Sequence, residues 1–181
     1  AEGAVTGVGL GATWIRYQAG LEVDSVRVIL ALHDGSITIT DQASLDSVAA
    51  AGITGITGDL YILSTSLTNV DGLESLRFVG GSVDIAYNES LTDVTGLANL
   101  RTAGSLGVYY NPLLAGLEAL ASLERIEDDL YLGHNLAFDG LGQLPALRSV
   151  DYMYIEDGGV RMGFPALDTI RAMLVLGGTL E

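Results

Sequence analysis

A short apolar–any–apolar segment recurs along this chain, and its near-constant spacing constrains the fold more than any other feature. The segment occurs seven times, beginning at Ile37, Leu60, Val83, Leu106, Leu130, Met153 and Met173. Successive starting positions differ by 23, 23, 23, 24, 23 and 20 residues. Repeats of this length are typical of folds in which each unit shares a core with its neighbours, because one unit cannot bury its own apolar side.

Further columns of similar residues follow the segment within each unit. An asparagine recurs at Asn88, Asn111 and Asn135, and one of several leucine columns contains Leu97, Leu120 and Leu144. The apolar pattern has a period of two and then of three, which predicts a short strand followed by a tight, irregular return path. We therefore expect a mainly β solenoid of about seven coils with a parallel sheet, its leucines buried in lines. We expect the asparagines to satisfy backbone groups that the strands leave unpaired.

Residues 41–52 (DQASLDSVAAAG) depart from the repeat. Asp41 is suited to cap the start of a helix, Leu45 and Val48 have helical spacing, and Gly52 is suited to end it. The segment predicts a short N-terminal helix that covers the open first end of the apolar core, since terminal units of solenoids are atypical.

Composition excludes several classes of partner and chemistry. The chain has 8 basic and 23 acidic residues, a net charge of −15 and no cysteine. Nucleic acid and anionic membranes, which require a basic face, are therefore excluded as partners. The apolar run 26–32 is too short to insert across a bilayer. The two histidines, His33 and His134, form no metal-ligand pattern, so we predict no catalytic residue, no cofactor and no metal site.

With these columns in view, residues 35–181 resemble the receptor L domain family. The resemblance is carried by the segments GSITITDQASLDSVAAAGITGITGDLYI and LTNVDGLESLRFVGGSVDIAYNESLTDVTGLANL. Such domains are leucine-rich, right-handed β-solenoids of the insulin and epidermal growth factor receptors and of bacterial surface proteins. The resemblance implies a right-handed solenoid, an extracellular or cell-surface location and a non-enzymatic binding role. Unlike the animal receptors, this chain has no cysteine.

The outward positions of the predicted strands contain five of the eight tyrosines. Tyrosine provides rigid contact area and a polar group, which favours contact with a protein or a glycan. It also packs well against neighbouring strands, so a purely structural role is the alternative. The candidate binding residues are Tyr61, Asp84, Tyr109, Tyr131, Tyr152 and Tyr154. Tyr87, Tyr110 and His134 precede the three asparagines, and we expect them to form a stacked column.

Residues 1–34 have no place in the repeat but alternate like strands. They predict either an extra strand on the solenoid or an arm that pairs with another subunit, since open strand edges are templates for addition. The candidate assembly residues are Trp14, Tyr17, Val26, Val28 and Leu30. The sequence thus predicts a non-enzymatic surface module. We expect it to bind a protein or a glycan through its strand face, or to associate with itself head to tail. The alternatives are a structural filament subunit and a carbohydrate-active solenoid enzyme.

Overall fold

The computed structural model describes residues 11–19, 22–138, 144–156, 161–162, 164–175 and 179–180. The chain is mainly β, and the described residues contain one α-helix and two short 3₁₀ turns. The first elements are β1 (Gly11–Ala19), β2 (Glu22–Leu30), β3 (Leu32–His33), β4 (Ile37–Ile39), α1 (Gln42–Ala51), β5 (Gly55–Ile56), β6 (Leu60–Leu63) and β7 (Phe78–Ala86). They are followed by β8 (Thr102–Tyr109), β9 (Arg125–Ile126), β10 (Asp129–Gly133), β11 (Ser149–Ile155), β12 (Arg161–Met162), β13 (Thr169–Val175) and β14 (Thr179–Leu180).

Strands β3–β11 and β13 form one ten-stranded sheet. Its pairs are parallel, and each strand is offset from its neighbour by one repeat. The first residues of the seven apolar segments pair in unbroken order: Ile37 with Leu60, Leu60 with Val83, Val83 with Leu106, Leu106 with Leu130, Leu130 with Met153, and Met153 with Met173. The sequence spacing therefore predicted the strands and their register correctly.

The leucine columns form the core of the described residues. Leu97, Leu120 and Leu144 have no exposed surface, as predicted. The period of three in the sequence corresponds to tight turns: Leu97 N donates to Val94 O at 2.9 Å, and the equivalent Leu120 N donates to Leu117 O at 2.9 Å. Two of these turns form the 3₁₀ segments Thr95–Leu97 and Glu118–Leu120, which turn every third side chain inward.

Helix α1 begins and ends where the sequence predicted. The Asp41 side chain accepts a hydrogen bond from Ser44 N at 2.8 Å, and the Ser44 hydroxyl accepts one from Asp41 N at 3.1 Å. Gly52 adopts φ 58°, in the left-handed region, and its N–H donates to Ala49 O at 3.0 Å. Leu45 is fully buried and Val48 packs against the core. The reciprocal bond from Ser44, which completes a capping box, was not predicted.

The three asparagines form a buried ladder. Asn111 Nδ2 donates to Ile85 O at 2.9 Å, and Asn111 Oδ1 accepts from Asn88 N at 3.2 Å and from Asn88 Nδ2 at 2.9 Å. Asn135 repeats the pattern one unit later, donating to Val108 O at 2.9 Å. The predicted role of this column is confirmed: each amide satisfies a strand carbonyl from an earlier unit and links two adjacent turns.

The N-terminal segment contains an antiparallel hairpin of β1 and β2. In this hairpin the backbone of Trp14 pairs with Arg27, Tyr17 with Asp24, Ile15 with Val26, Thr13 with Val28 and Gly11 with Leu30. Strand β3 pairs with β5, so residues 32–33 of the predicted arm take part in the large sheet. None of the helices in the described part of the chain is long and apolar enough to cross a membrane.

Candidate binding face at the ends of the strands

Four of the six predicted binding residues lie in one column across the large sheet. Tyr61 pairs with Asp84, Asp84 with Gly107, Gly107 with Tyr131, and Tyr131 with Tyr154. Tyr131 is partly exposed and Tyr154 is 38% exposed, as expected for residues at outward positions of the strands. The other two candidates, Tyr109 and Tyr152, lie in neighbouring columns, two residues after Gly107 and two before Tyr154 respectively.

A hollow adjoins Gly107 in this column. A β-carbon at residue 107 would lie 2.6 Å from Asp84 Oδ1 and 3.2 Å from a ring carbon of Tyr109, so the Asp84 carboxylate and the Tyr109 ring approach the backbone as closely as glycine allows. The hollow has a volume of about 280 Å³ and is lined by Ser82, Asp84, Ser105, Leu106, Gly107, Tyr109, Asp129 and Tyr131. Two aromatic rings, two hydroxyls and two carboxylates therefore converge where the column lacks a side chain.

Asp84 is half-buried at the edge of this hollow. Desolvation by burial raises the pKa of the Asp84 carboxyl, and the charge of Asp59 raises it further, while a hydrogen bond with the Ser82 side chain lowers it. Burial also raises the pKa of Tyr109, with Asp84 and Tyr87 adding to the effect. Ionised Asp84 is therefore less stable in the folded chain than in water, and a hydrogen-bond donor or cation in the hollow would stabilise it.

Asp59, one repeat before Ser82, has a pKa that is shifted in the opposite direction to that of Asp84. Its Oδ1 accepts from Ser82 N at 2.8 Å and its Oδ2 accepts from the Tyr61 hydroxyl at 2.9 Å. The backbone bond from Ser82, followed by the Tyr61 bond, lowers the pKa of Asp59. The same bond to Asp59 raises the pKa of Tyr61. Tyr61 is thus a partner of a structural carboxylate, which fixes its ring on the sheet.

Five aromatic rings are in mutual contact where β7, β8 and β10 end. The rings of Tyr87 and Tyr110 stack at 4.9 Å between centroids, and Tyr110 stacks on His134 at 4.4 Å. Tyr109 meets Tyr87 edge to face at 5.7 Å and Tyr131 at 5.5 Å. The predicted stacked column of Tyr87, Tyr110 and His134 is confirmed, and Tyr109 joins it to the tyrosines of the sheet.

The residues of this stack have an unusual backbone conformation. Tyr87, Tyr110 and His134 have φ values of 58°, 55° and 59°, and Ser64, the equivalent residue one unit earlier, has 54°. Side chains with a β-carbon rarely adopt this left-handed region, at a cost of about 1–2 kcal/mol per residue. Each stacked or edge-to-face ring pair stabilises the fold by about 0.5–1.5 kcal/mol, so ring packing compensates for much of the backbone strain. Strain of this kind clusters at functional sites.

The stack borders an exposed apolar groove of about 380 Å³. The groove is lined by Tyr87, Glu89, Tyr110, Pro112, His134 and Leu136. Leu136 is 85% exposed, Tyr87 53% and Tyr110 43%, and nearby in sequence Leu113 is 52% exposed. Contiguous exposed apolar side chains of this kind mark interaction surfaces in soluble proteins.

The remaining candidates lie further along the sheet. The Arg171 guanidinium lies 5.8 Å from the centre of the Tyr152 ring, and Arg171 Nη1 lies 3.3 Å from Asp151 Oδ2. Glu156 accepts a hydrogen bond from the Tyr131 hydroxyl at 2.8 Å, and its Oε2 lies 3.7 Å from His134 Nε2. These contacts order the tyrosines through charged partners. The described residues contain no group of three or more His, Asp or Glu side chains arranged to hold a metal.

Sequence reasoning missed the groove and its exposed residues. It identified Tyr87, Tyr110 and His134 as a column but not as a solvent-exposed surface, and it did not select Leu113 or Leu136. A signal was present, because large apolar residues after the buried asparagines stand outside the period of three that marks the core. The candidate assembly residues, Trp14, Tyr17, Val26, Val28 and Leu30, lie on the N-terminal hairpin, away in sequence from these elements.

Comparison with protein-family models, with curated proteins and with solved structures finds no match.

Proposed function

We propose that this chain is a non-enzymatic binding module that contacts a protein partner, or a glycan, through the aromatic side chains at the ends of its strands. The observation that carries the proposal is the cluster of Tyr87, Tyr109, Tyr110, Tyr131 and His134. Its rings are partly exposed and border an apolar groove, and three of its residues have a strained left-handed backbone conformation. Rigid aromatic anchors beside polar groups are the residues that contribute most to binding in protein interfaces.

The proposed module is a right-handed solenoid of the receptor L type. Parallel pairing of equivalent residues every 23 or 24 positions, tight turns at the leucine columns and a buried asparagine ladder support this architecture. In it, α1 covers the first end of the core through Leu45 and Val48. The resemblance further supports an extracellular or cell-surface location, where such modules bind polypeptides.

Self-association through the N-terminal segment is a second candidate function. The hairpin of β1 and β2 forms a two-stranded sheet of its own, with nine residues in each strand. Isolated two-stranded hairpins are marginally stable in water, so contact with a further surface is expected to stabilise this one. A second copy of the chain could supply that surface, which would give head-to-tail association or a filament.

Screening on arrays of glycans and of extracellular proteins tests the binding proposal. Any ligand found is retested with the double variant Tyr131→Ser/Tyr154→Ser, whose side chains are partly exposed and whose loss leaves the leucine core intact. We expect binding to fall by at least about tenfold, as for loss of interface anchors, with little change in the thermal midpoint. Phe78→Ser is the matched control, since Phe78 is 39% exposed at the amino end of β7. Equal loss of binding in both variants would contradict the proposal.

A further inference from the structure

The stack of Tyr87, Tyr110 and His134 is open at the Tyr87 end. Successive units hold equivalent positions in register: Ser64 N donates to Ala86 O at 3.0 Å, and Tyr87 N donates to Tyr109 O at 3.2 Å. Ser64 also has the same left-handed φ as Tyr87. The column therefore continues to Ser64, but a hydroxymethyl group stands where the next two units have a ring.

The missing ring leaves a slot above Tyr87. One face of the Tyr87 ring packs on Tyr110 at 4.9 Å, and no aromatic ring of the described residues stacks on the other face. The slot has a volume of about 410 Å³ and is lined by Ser64, Thr65, Ser66, Tyr87, Glu89 and Ser90. Since equivalent positions in a parallel sheet are separated by about 4.8 Å, a flat group one layer thick would extend the stack.

Most polar side chains of the slot make no hydrogen bond or ion pair within the described part of the chain. Glu89 is exposed, and its carboxylate makes no hydrogen bond or ion pair with a described residue. The hydroxyls of Ser64, Ser66 and Ser90 likewise have no partner among the described residues. Thr65 differs, because its hydroxyl donates to Asn88 Oδ1 at 2.8 Å and belongs to the buried ladder. An aromatic face, one carboxylate and three hydroxyl acceptors thus surround the open layer.

We propose that this Tyr87 slot binds the guanidinium group of an arginine side chain on the protein partner, with the guanidinium stacked on Tyr87 and hydrogen-bonded to Glu89. The inference rests on the proposed binding function and names the chemistry of its partner. A guanidinium is planar, has five N–H donors and no acceptor, and stacks on aromatic faces while pairing with a carboxylate.

Charge and an internal example favour this occupant over others. The net charge of −15 attracts a cation, and a neutral aromatic side chain in the slot would cover Glu89 without pairing it. The chain already pairs an arginine with a tyrosine and a carboxylate, because the Arg171 guanidinium lies 5.8 Å from the centre of the Tyr152 ring, with its Nη1 3.5 Å from the Tyr152 hydroxyl and 3.3 Å from Asp151 Oδ2. A lysine ammonium is a compact point charge and would not stack as a layer.

Peptide binding to the full chain tests the inference. The probe is a fluorescent glycine–serine peptide with one central arginine, compared with versions that carry citrulline or lysine in its place. Citrulline has nearly the same shape as arginine but no charge, so we expect it to bind about tenfold more weakly, as does lysine, which lacks the planar group. Equal affinities for the three peptides would overturn the inference, as would competition by a neutral oligosaccharide that binds the slot more tightly than arginine.

Two substitutions with matched controls locate the site. Ser64→Tyr supplies the missing ring and should lower the affinity for the arginine peptide by about tenfold, whereas Ser64→Asn, which tolerates positive φ, should preserve it. Glu89→Gln should lower affinity about fivefold, and Glu127→Gln, an equal charge change at an exposed acid of another unit, by less than about twofold. A thermal midpoint of Ser64→Tyr at or above that of the wild type shows that it folds.

The outcomes separate this inference from the general proposal. Equal effects of Glu89→Gln and Glu127→Gln would mean attraction by net charge alone and would overturn the slot. Undiminished binding by folded Ser64→Tyr would do the same. An array ligand that is lost with Tyr131→Ser/Tyr154→Ser but retained by Ser64→Tyr and Glu89→Gln would leave the binding function standing and refute only the arginine site.

Discussion

At the residue scale, the unusual feature is a set of bulky side chains in a backbone conformation that favours glycine. Tyr87, Tyr110 and His134 all have φ between 55° and 59°, and their rings stack across three units. At each position, the stabilising energy of ring stacking thus compensates in part for the cost of the strained backbone. Two nearby polar residues, the buried Asn111 and the half-buried Asp84, contribute to the free energy of unfolding in ways that single substitutions can measure.

Substitution of Tyr110 should separate strain from stacking. Tyr110→Ala removes the ring but keeps a β-carbon at φ 55°, whereas Tyr110→Gly removes both. We expect the glycine variant to be the more stable of the two by about 1 kcal/mol, the reverse of the usual order within strands. Urea denaturation measures the difference. An alanine variant as stable as the glycine variant would mean that the left-handed conformation carries no strain here.

Asn111→Ala should be strongly destabilising. It removes the acceptor for two donors of Asn88 and leaves Ile85 O without its amide donor, all in a buried site. Unpaired buried polar groups cost about 1–3 kcal/mol each, so we expect a loss of about 2–4 kcal/mol in the free energy of unfolding. Asn99→Ala is the control, because the exposed Asn99 donates to Glu74 O at 2.9 Å and to no other residue that the structure describes. Similar losses in the two variants would contradict the ladder's structural role.

Asp84→Asn should stabilise the chain at neutral pH. Burial raises the pKa of Asp84 above its ordinary value of 3.8, so the folded state binds the proton more tightly than the unfolded state does. Wild-type stability should therefore gain from this group as the pH falls through the raised pKa, and the advantage of the variant should shrink there. Urea midpoints at a series of pH values measure this. Asp128→Asn, at an exposed position, is the control, and a destabilised Asp84→Asn at neutral pH would contradict the argument.

At the element scale, each unit combines a strand with a tight leucine-bearing turn. The turn Glu118–Leu120 places Leu120 fully inside the core, while Leu136, in the groove after β10, is 85% exposed. Two leucines in neighbouring units thus have opposite environments. Their truncation tests whether the unit boundaries are drawn correctly.

Leu120→Ala should destabilise the chain by about 2–5 kcal/mol, since it leaves a cavity between units that cannot fully collapse. Leu136→Ala should change the free energy of unfolding by less than about 0.5 kcal/mol, as expected for an exposed side chain. Chemical denaturation of both variants gives the comparison. A neutral Leu120→Ala would show that the leucine column does not form the core.

At the scale of the whole molecule, we expect the acidic charge and the N-terminal hairpin to have opposing effects on the proposed self-association. The net charge of −15 repels a second copy, and the two long strands of the hairpin present edges that another chain can pair with. Salt screens the repulsion but leaves apolar contact intact. Any self-association should therefore strengthen as salt is added.

Deletion of residues 1–30 tests this balance. The deletion stops before Ala31, whose carbonyl accepts from Thr54 N at 2.8 Å, and before β3, which pairs with β5. We expect light scattering to show the full chain, but not the truncated chain, as species larger than its monomer at high salt. At low salt we expect a smaller fraction of these species. A full chain that is monomeric in both conditions would contradict the assembly role.

The periodicity of the sequence by itself determined the strands, their parallel register, and the buried leucine and asparagine columns, and the residue types of the non-repeating segment 41–52 determined the caps of α1. These features follow from local spacing, because residues one repeat apart must align if Leu97, Leu120 and Leu144 are to share a core. The tyrosine column of the sheet was predictable for the same reason. Spacing also predicted that Tyr87, Tyr110 and His134 would align.

The tertiary structure alone decided what those aligned residues expose. Whether a ring after a strand turns inward or outward depends on the φ value at the turn, and a tyrosine at φ 58° is not encoded by any local preference for that conformation. The hollow at Gly107, the raised pKa of Asp84 and the slot between Ser64 and Tyr87 likewise arise from contacts between units. Periodicity determines which residues are neighbours, but the space, solvent and charge around each neighbour depend on the packing of all the units together.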